Sequence, residues 1–247
     1  MEPVHPVEDA WKLAPVVEQF LSIRAGIPMA QEQIAMMLAI LASRGEPVTN
    51  FLDLGCGDGI LGAAILGCYP QARGILSDFS EPMLAQARKN FTQFDGQMQF
   101  ANVDYSNPAW TQLVERSGPF DAIVSGYSIH HQPDARKREI YAEIFGILQP
   151  GGWFVNVEHI APAAQLVTEM FESHIIEARV AEEIRTGGPQ TREQITKAFN
   201  SRQDQYLNKL LPVETQCRWL TELGYTDVDC YFRIYSLAVF AGRRPVS

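Results

Sequence analysis

Acidic residues and histidines stand where short apolar runs end. Asp53 sits inside Phe51-Leu52-Asp53-Leu54, ahead of a turn in which Gly55, Gly57 and Gly59 alternate with Cys56 and Asp58. Asp78 closes the run from Ala72 to Ser77, and Asp104-Tyr105 closes Met98 to Val103. Phe120 to Val124 runs into Ser125-Gly126-Tyr127-Ser128-Ile129-His130-His131, and Trp153 to Val157 runs into Glu158-His159. A carboxylate at the end of a buried run can accept a hydrogen bond from a cationic or hydroxyl-bearing ligand. Glycines let the backbone turn sharply and let a ligand approach where a Cβ would clash. An imidazole can take a proton near neutral pH. His131 is the first candidate for such a base and His130 the second. Successive residues point differently, so one of the two is expected to face a substrate. The competing reading has the pair ordering the loop or capping the helix that begins near Pro133.

The glycine turn admits more than one ligand. Gly57-Asp58-Gly59-Ile60-Leu61-Gly62 fits GxGxxG, the dinucleotide pattern. Asp78, about twenty residues further on, can accept both hydroxyls of a ribose. A dinucleotide gives no particular reason for an acid at Asp104, which could equally be a turn acid. A tight structural turn of small residues is the third reading.

These residues need a scaffold that brings strand ends together. A strand, a glycine turn and the helical run Ile60 to Leu66 make the first unit of a doubly wound α/β sheet. The pattern repeats. A strand from Ala72 to Ser77 leads to a helix capped by Ser80 with Pro82 in its first turn. Strands follow at Met98 to Val103, Phe120 to Val124 and Trp153 to Val157. A helix spans Asp134 to Leu148 and ends at Gln149-Pro150-Gly151-Gly152. Two helices precede the sheet, Ala10 to Arg24 and Met29 to Ser43, broken at Gly26-Ile27-Pro28. Residues 161–211 read as two or three helices broken at Gly187-Gly188-Pro189, and Val213 to Leu223 as a further helix.

The 247 residues suit one elaborated domain. The net charge is −9, without a basic run longer than Arg136-Lys137-Arg138, which reads as a solvated helix face. That balance argues against nucleic acid as partner. The four cysteines, Cys56, Cys68, Cys217 and Cys230, have no zinc spacing, so no metal is expected and a reduced, cytoplasmic setting is. The N-terminus does not read as a signal peptide, and no apolar run is long enough for a membrane span.

In order, DLGCGDG, LSDFS, NVDY, FDAIVSGYSIHH, LQPGG and WFVNVE resemble the motifs of class I S-adenosylmethionine (SAM)-dependent methyltransferases, over Phe51 to Glu158. The resemblance implies a seven-stranded, mostly parallel sheet with a reversed C-terminal strand. It implies N-terminal lid helices in 1–48, a SAM-binding core in 49–160, a helical cap in 161–211, and a closing helix and hairpin in 212–247. Asp53, Gly55 and Gly57 would hold the amino-acid end of SAM. Asp78 would take the ribose, and Phe79, Met83, Asp104 and Tyr105 the adenine. Ser125 and Tyr127 would touch the methionine part. Glu158, His159 and the cap residue Arg202 would line the acceptor pocket. The activity implied is methyl transfer to O or N of a small-molecule acceptor, with a homodimer sharing its caps as one arrangement. The cap and hairpin also resemble carboxy-SAM synthase, which would keep the pocket and change the reaction. A SAM-binding regulatory protein without turnover is a further alternative.

Overall fold

Seven strands form one sheet in the order β3-β2-β1-β4-β5-β7-β6 in a computed structural model, which describes residues 16–17, 26–94, 96–201 and 207–246. The strands are β1 (Asn50–Leu54), β2 (Arg73–Asp78), β3 (Met98–Asn102), β4 (Phe120–Gly126), β5 (Leu148–His159), β6 (Thr226–Ile234) and β7 (Leu237–Arg243). β1 to β5 pair in parallel, and β7 runs antiparallel to both β5 and β6. This is the expected sheet with its reversed last strand. The chain winds one way from β1 to β3, then returns to place β4 against the other edge of β1. Open α/β sheets bind ligands at the carboxyl ends of the strands at such a switch point.

The central strands are buried on both faces because helices cover both. On one face lie α1 (Ala30–Ala42), α2 (Ile60–Cys68) and α3 (Glu81–Asn90). They bury Met37, Leu41, Ile65, Leu66 and Leu84 against Phe51, Val124 and Val155. After α4 (Thr111–Val114), α5 (Asp134–Ile147) covers the other face together with α8 (Val213–Glu222). Ile140, Tyr141, Ile144 and Leu220 pack there on Leu52, Ile123 and Phe154. The Ser80 hydroxyl caps α3 by accepting the Met83 N–H, as its sequence suggests.

Two expectations need adjustment. Gln149-Pro150-Gly151-Gly152 does not sit outside the sheet: β5 begins at Leu148, and Gly151 and Gly152 exchange backbone hydrogen bonds with Arg244. The triplet Arg136-Lys137-Arg138 is not a solvated face. Arg136 and Lys137 are buried, the first held by Tyr105 O and Glu143, the second by Asp134 and a backbone carbonyl; only Arg138 is exposed. Of the first expected helix, Val16 and Val17 are helical and the rest lies outside the described residues. Residues 161–211 contain α6 (Gln165–Thr186), ended by Gly187 at φ 67°, and α7 (Arg192–Asn200). α6 buries only Ile175 fully and leaves Leu166, Met170 and Ile184 exposed.

Candidate functional site

A cavity of about 320 Å³ opens at the carboxyl ends of β1, β2 and β4. That is within the size range of small-molecule sites. Its first end is built from the glycine turn. Gly55 has φ 68°, and a Cβ there would lie 1.9 Å from Ser128 Oγ, so only glycine fits. Gly57 has φ 56°, and a Cβ there would meet only Met83 Sδ, at 3.8 Å, which leaves this backbone open to the cavity.

Four aspartates line that end: Asp53, Asp58, Asp78 and Asp104. Asp53 Oδ2 accepts the Gly62 N–H at 2.9 Å. Its Oδ1 is buried and has no hydrogen-bond partner among the described residues. Burial pushes the Asp53 carboxyl up to about 7; the Gly62 N–H opposes this, and the charges of Asp78 and Asp58 add to it. Asp78 accepts the Ser80 N–H at 2.8 Å and the Gly57 N–H at 2.9 Å. Burial raises it to about 6 against those hydrogen bonds. With the Phe79 N–H as a third backbone donor, Asp78 still has accepting capacity for a ligand. Asp104 accepts the Ser106 N–H at 2.8 Å, so it holds its turn as well as facing the cavity. Phe79 and Met83 supply apolar wall. Tyr105 is buried beside them, its hydroxyl 2.5 Å from Ser128 Oγ.

The other end comes from the turn after β4. Tyr127 is held at φ 50°, a conformation bulky residues rarely adopt. Its N–H donates to Val157 O at 2.8 Å, and its hydroxyl donates to Gln33 Oε1 of α1 at 2.6 Å. Gln33, fully buried, donates in turn to Pro28 O at 2.8 Å. His131 faces the cavity, and its carbonyl accepts from Lys209 Nζ at 2.8 Å. Burial first, then the neighbouring His130, hold the His131 imidazolium well below its usual range. Burial thus favours the neutral ring and opposes the imidazolium, so the ring takes up a proton only where a ligand's charge offsets that burial.

His130 points away. Its Nδ1 lies 2.5 Å from Glu158 Oε1, and its N–H donates to Glu158 Oε2 at 3.1 Å. Glu158 also accepts the His159 N–H at 2.8 Å. Burial raises Glu158 to about 7 and lowers His130 to about 3, so both are driven toward their neutral forms. The pair ties the β4 turn to the end of β5.

Of the residues singled out from sequence, Asp53, Gly55, Gly57, Asp78, Phe79, Met83, Asp104, Tyr105, Tyr127 and His131 line one cavity. Ser125 does not: it is fully buried, and its hydroxyl donates to Leu54 O at 2.7 Å, fastening β4 to β1. His130, Glu158 and His159 lie outside the lining, the first two spent on each other, and the His159 ring against Phe171 with centroids 5.4 Å apart. Arg202 lies outside the described residues. Sequence reasoning passed over Gln33, Ser128, Arg136 and Lys209. The polar Gln33 in the apolar face of α1 was a signal that could have been read; Lys209, in an irregular stretch, gave none.

Residues 51–152 match the methyltransferase-domain family. The chain is 30% identical over 129 residues to the ubiquinone/menaquinone biosynthesis C-methyltransferase UbiE of Desulfotalea psychrophila, covering 52% of this chain and 49% of that protein. It is 26% identical over 165 residues to the ubiquinone biosynthesis O-methyltransferase of Thiobacillus denitrificans, covering 60% and 68%. The chain thus spans about half the length of the first of these relatives. Among solved structures it resembles magnesium protoporphyrin IX methyltransferase from Synechocystis with bound S-adenosylhomocysteine (SAH), at TM-score 0.57 and 16% identity over 90% of this chain and 85% of the other. It also resembles human N-acetylserotonin methyltransferase in complex with SAM, at TM-score 0.54 and 14% identity over 95% and 57%. At those identities the likeness is one of fold.

Proposed function

We propose that the protein moves a methyl group from SAM to an oxygen or nitrogen of a small molecule, a reading supported by the match of residues 51–152 to the methyltransferase-domain family and by the fold shared with a SAH-bound methyltransferase. The observation that carries this is that Asp53, whose buried Oδ1 has no hydrogen-bond partner among the described residues, lines the same cavity as His131. An orphaned carboxylate oxygen is costly unless a donor arrives with the ligand. SAM fits the residues present: Asp53 would take its ammonium, Asp78 its ribose hydroxyls, and the open backbone at Gly57 would allow close approach.

When bound, SAM supplies a methyl group on a positively charged sulfur, open to in-line attack by a lone pair. The protein then has to align the acceptor and keep water out. Ile27 and Ile34 on the α1 side and Val157 on the β5 side make the walls apolar. His131, which lines the cavity, is the side chain placed to take the proton released by an O–H or N–H acceptor. His130 and Glu158 hold the turn that carries it. α6 and α7 would serve as a cap on the acceptor side and α1 as part of a lid. A cytoplasmic setting agrees with four free cysteines. Small-molecule acceptors agree with the acidic surface, and relatives named for C- and O-methylation keep both atom types in view.

The test is mass spectrometry of whatever the denatured protein releases, followed by calorimetric titration of SAM. SAM or SAH in the first, or saturable SAM binding in the second, supports the reading. NAD released, or no SAM binding, rejects it.

A further inference from the structure

We propose that the acceptor carries an ionised acidic group, and that Lys209 is the residue that takes it. This rests on the reading of the cavity as a SAM-dependent methyltransferase site.

Charge in the cavity is divided. Its four aspartates belong to the first end, where a cationic cofactor is expected. Among the described residues, two full cations reach the lining, Arg136 and Lys209. Arg136 is already neutralised: it pairs with Glu139 at 3.0 Å and Glu143 at 2.7 Å, and its remaining donors go to Tyr105 O. Lys209 has no carboxylate partner among the described residues; its ammonium donates to a neutral carbonyl, His131 O, at 2.8 Å. An ammonium has three donors, so two remain. The uncompensated charge therefore sits beside the residue placed to take the acceptor's proton.

The surroundings hold Lys209 in place. Its N–H donates to His130 O at 2.9 Å, and its carbonyl accepts from Lys137 Nζ. Lys137 is 1% exposed, a position lysine almost never occupies unless paired. Its carboxylate partner, Asp134, is 2.7 Å away and half exposed. A buried ammonium thus fixes the backbone of the lysine that faces the cavity. Two residues on, Leu211 O accepts the Ala161 N–H at 3.1 Å, tying this stretch to the end of β5. Lys209 is itself exposed, so its ammonium reaches the cavity from the solvent side, on a fixed backbone and aimed by one hydrogen bond.

The experiment uses the full chain saturated with SAH. Binding is measured by calorimetry for matched aromatic pairs, benzoate against benzamide and salicylate against salicylamide, at low and high salt. The expected result is a preference for the acids of about tenfold or more, the range of a hydrogen bond to a charged group, shrinking with salt. Lys209→Gln should abolish the preference and Lys209→Arg should keep most of it, with SAH affinity unchanged within about twofold in both. Equal binding of acids and amides, binding of neither, or a preference that survives Lys209→Gln would overturn the proposal and leave Lys209 as a tie between loops. Failure of SAH itself to bind would instead overturn the methyltransferase reading, so the two failures are separable.

Discussion

At one end of the cavity, carboxylates on the ends of β1 and β2 are held by backbone N–H groups: Asp53 by Gly62, Asp78 by Gly57 and Ser80. At the other, His131 and Lys209 come from segments 78 residues apart and meet through a backbone carbonyl. The first end is backbone architecture, written within one short stretch of chain. The second is side-chain assembly, in which an irregular segment is pinned to a turn. Backbone-built sites tolerate almost no change in the residues that shape them, whereas side-chain sites can lose function while the fold stands. The first end suits a ligand that never varies and the second an acceptor that differs between relatives.

The largest expected effect tests the rigidity of the first end. Gly55→Ala would put a methyl group 1.9 Å from Ser128 Oγ at a positive φ. It should cost about 2–4 kcal/mol in stability, from overpacking and left-handed strain together, and remove measurable SAM binding. Urea unfolding and calorimetry read the two effects. A variant with wild-type stability would mean that the turn is looser than its geometry implies.

The matching change at the second end should separate function from fold. His131→Ala is expected to lower kcat by about 100-fold or more, the usual range for a lost general base, while SAM affinity stays the same. His130→Ala should do the reverse. It strands Glu158, a 1% exposed carboxyl, without its imidazole, and the loss should appear in thermal unfolding first. If His131→Ala turns over normally, the acceptor reaches the cavity already deprotonated and the histidine only orders the turn.

These contrasts also explain what could be read without coordinates. The glycine turn, Asp53 and Asp78 were legible because spacing along one strand-turn-helix unit fixes their geometry. Ser125 and Glu158 were misplaced by strand alternation: Val157 faces the cavity, so its neighbour Glu158 faces elsewhere, and Ser125 is consumed by Leu54 O. Lys137 and Lys209 were invisible as a pair, since a buried lysine bonded to the carbonyl of a residue 72 positions away leaves no local pattern. The reversed last strand followed from the family resemblance; its place between β5 and β6 came only with the structure. The extension of β5 back to Leu148 was likewise not legible, because Pro150-Gly151-Gly152 has turn composition and long-range pairing, of Leu148 with Phe120 and of the glycines with Arg244, keeps it in the sheet.

A smaller effect, of opposite sign in fold and function, is expected at Asp53. Its carboxyl is raised by burial to about 7, above its unfolded value, so the folded chain holds the proton more tightly. By linkage this carboxyl destabilises the free chain progressively as pH rises from about 4 to 7, and fully above that. Asp53→Asn should therefore stabilise the unliganded protein at pH 8 by about 1–3 kcal/mol, with little change near pH 4. The same substitution should weaken SAM binding about tenfold by removing the charge offered to an ammonium. In the wild type, SAM affinity should climb from pH 5.5 to 8 as Asp78 (about 6) and Asp53 (about 7) ionise, and the upper part of that climb should vanish in the variant. Calorimetry across that range decides it; an affinity independent of pH would mean that Asp53 never carries the charge SAM is proposed to meet.

The smallest effect falls on the joint between the two ends. Tyr127 lines the cavity, belongs to the β4 turn, and reaches Gln33 of α1 through its hydroxyl at 2.6 Å. Tyr127→Phe keeps the ring and its packing but leaves the fully buried Gln33 Oε1 without that donor. The cost should be about 1 kcal/mol, the usual net value of one hydrogen bond. If α1 is part of a lid, that small loss should appear mainly as faster SAM dissociation in stopped-flow traces, with association little changed, because the bond helps to hold the closed arrangement. If α1 is simply packed on the sheet, both rate constants should stay as they are and only the unfolding midpoint should move. The ratio of the two rate changes thus separates a moving element from a static one.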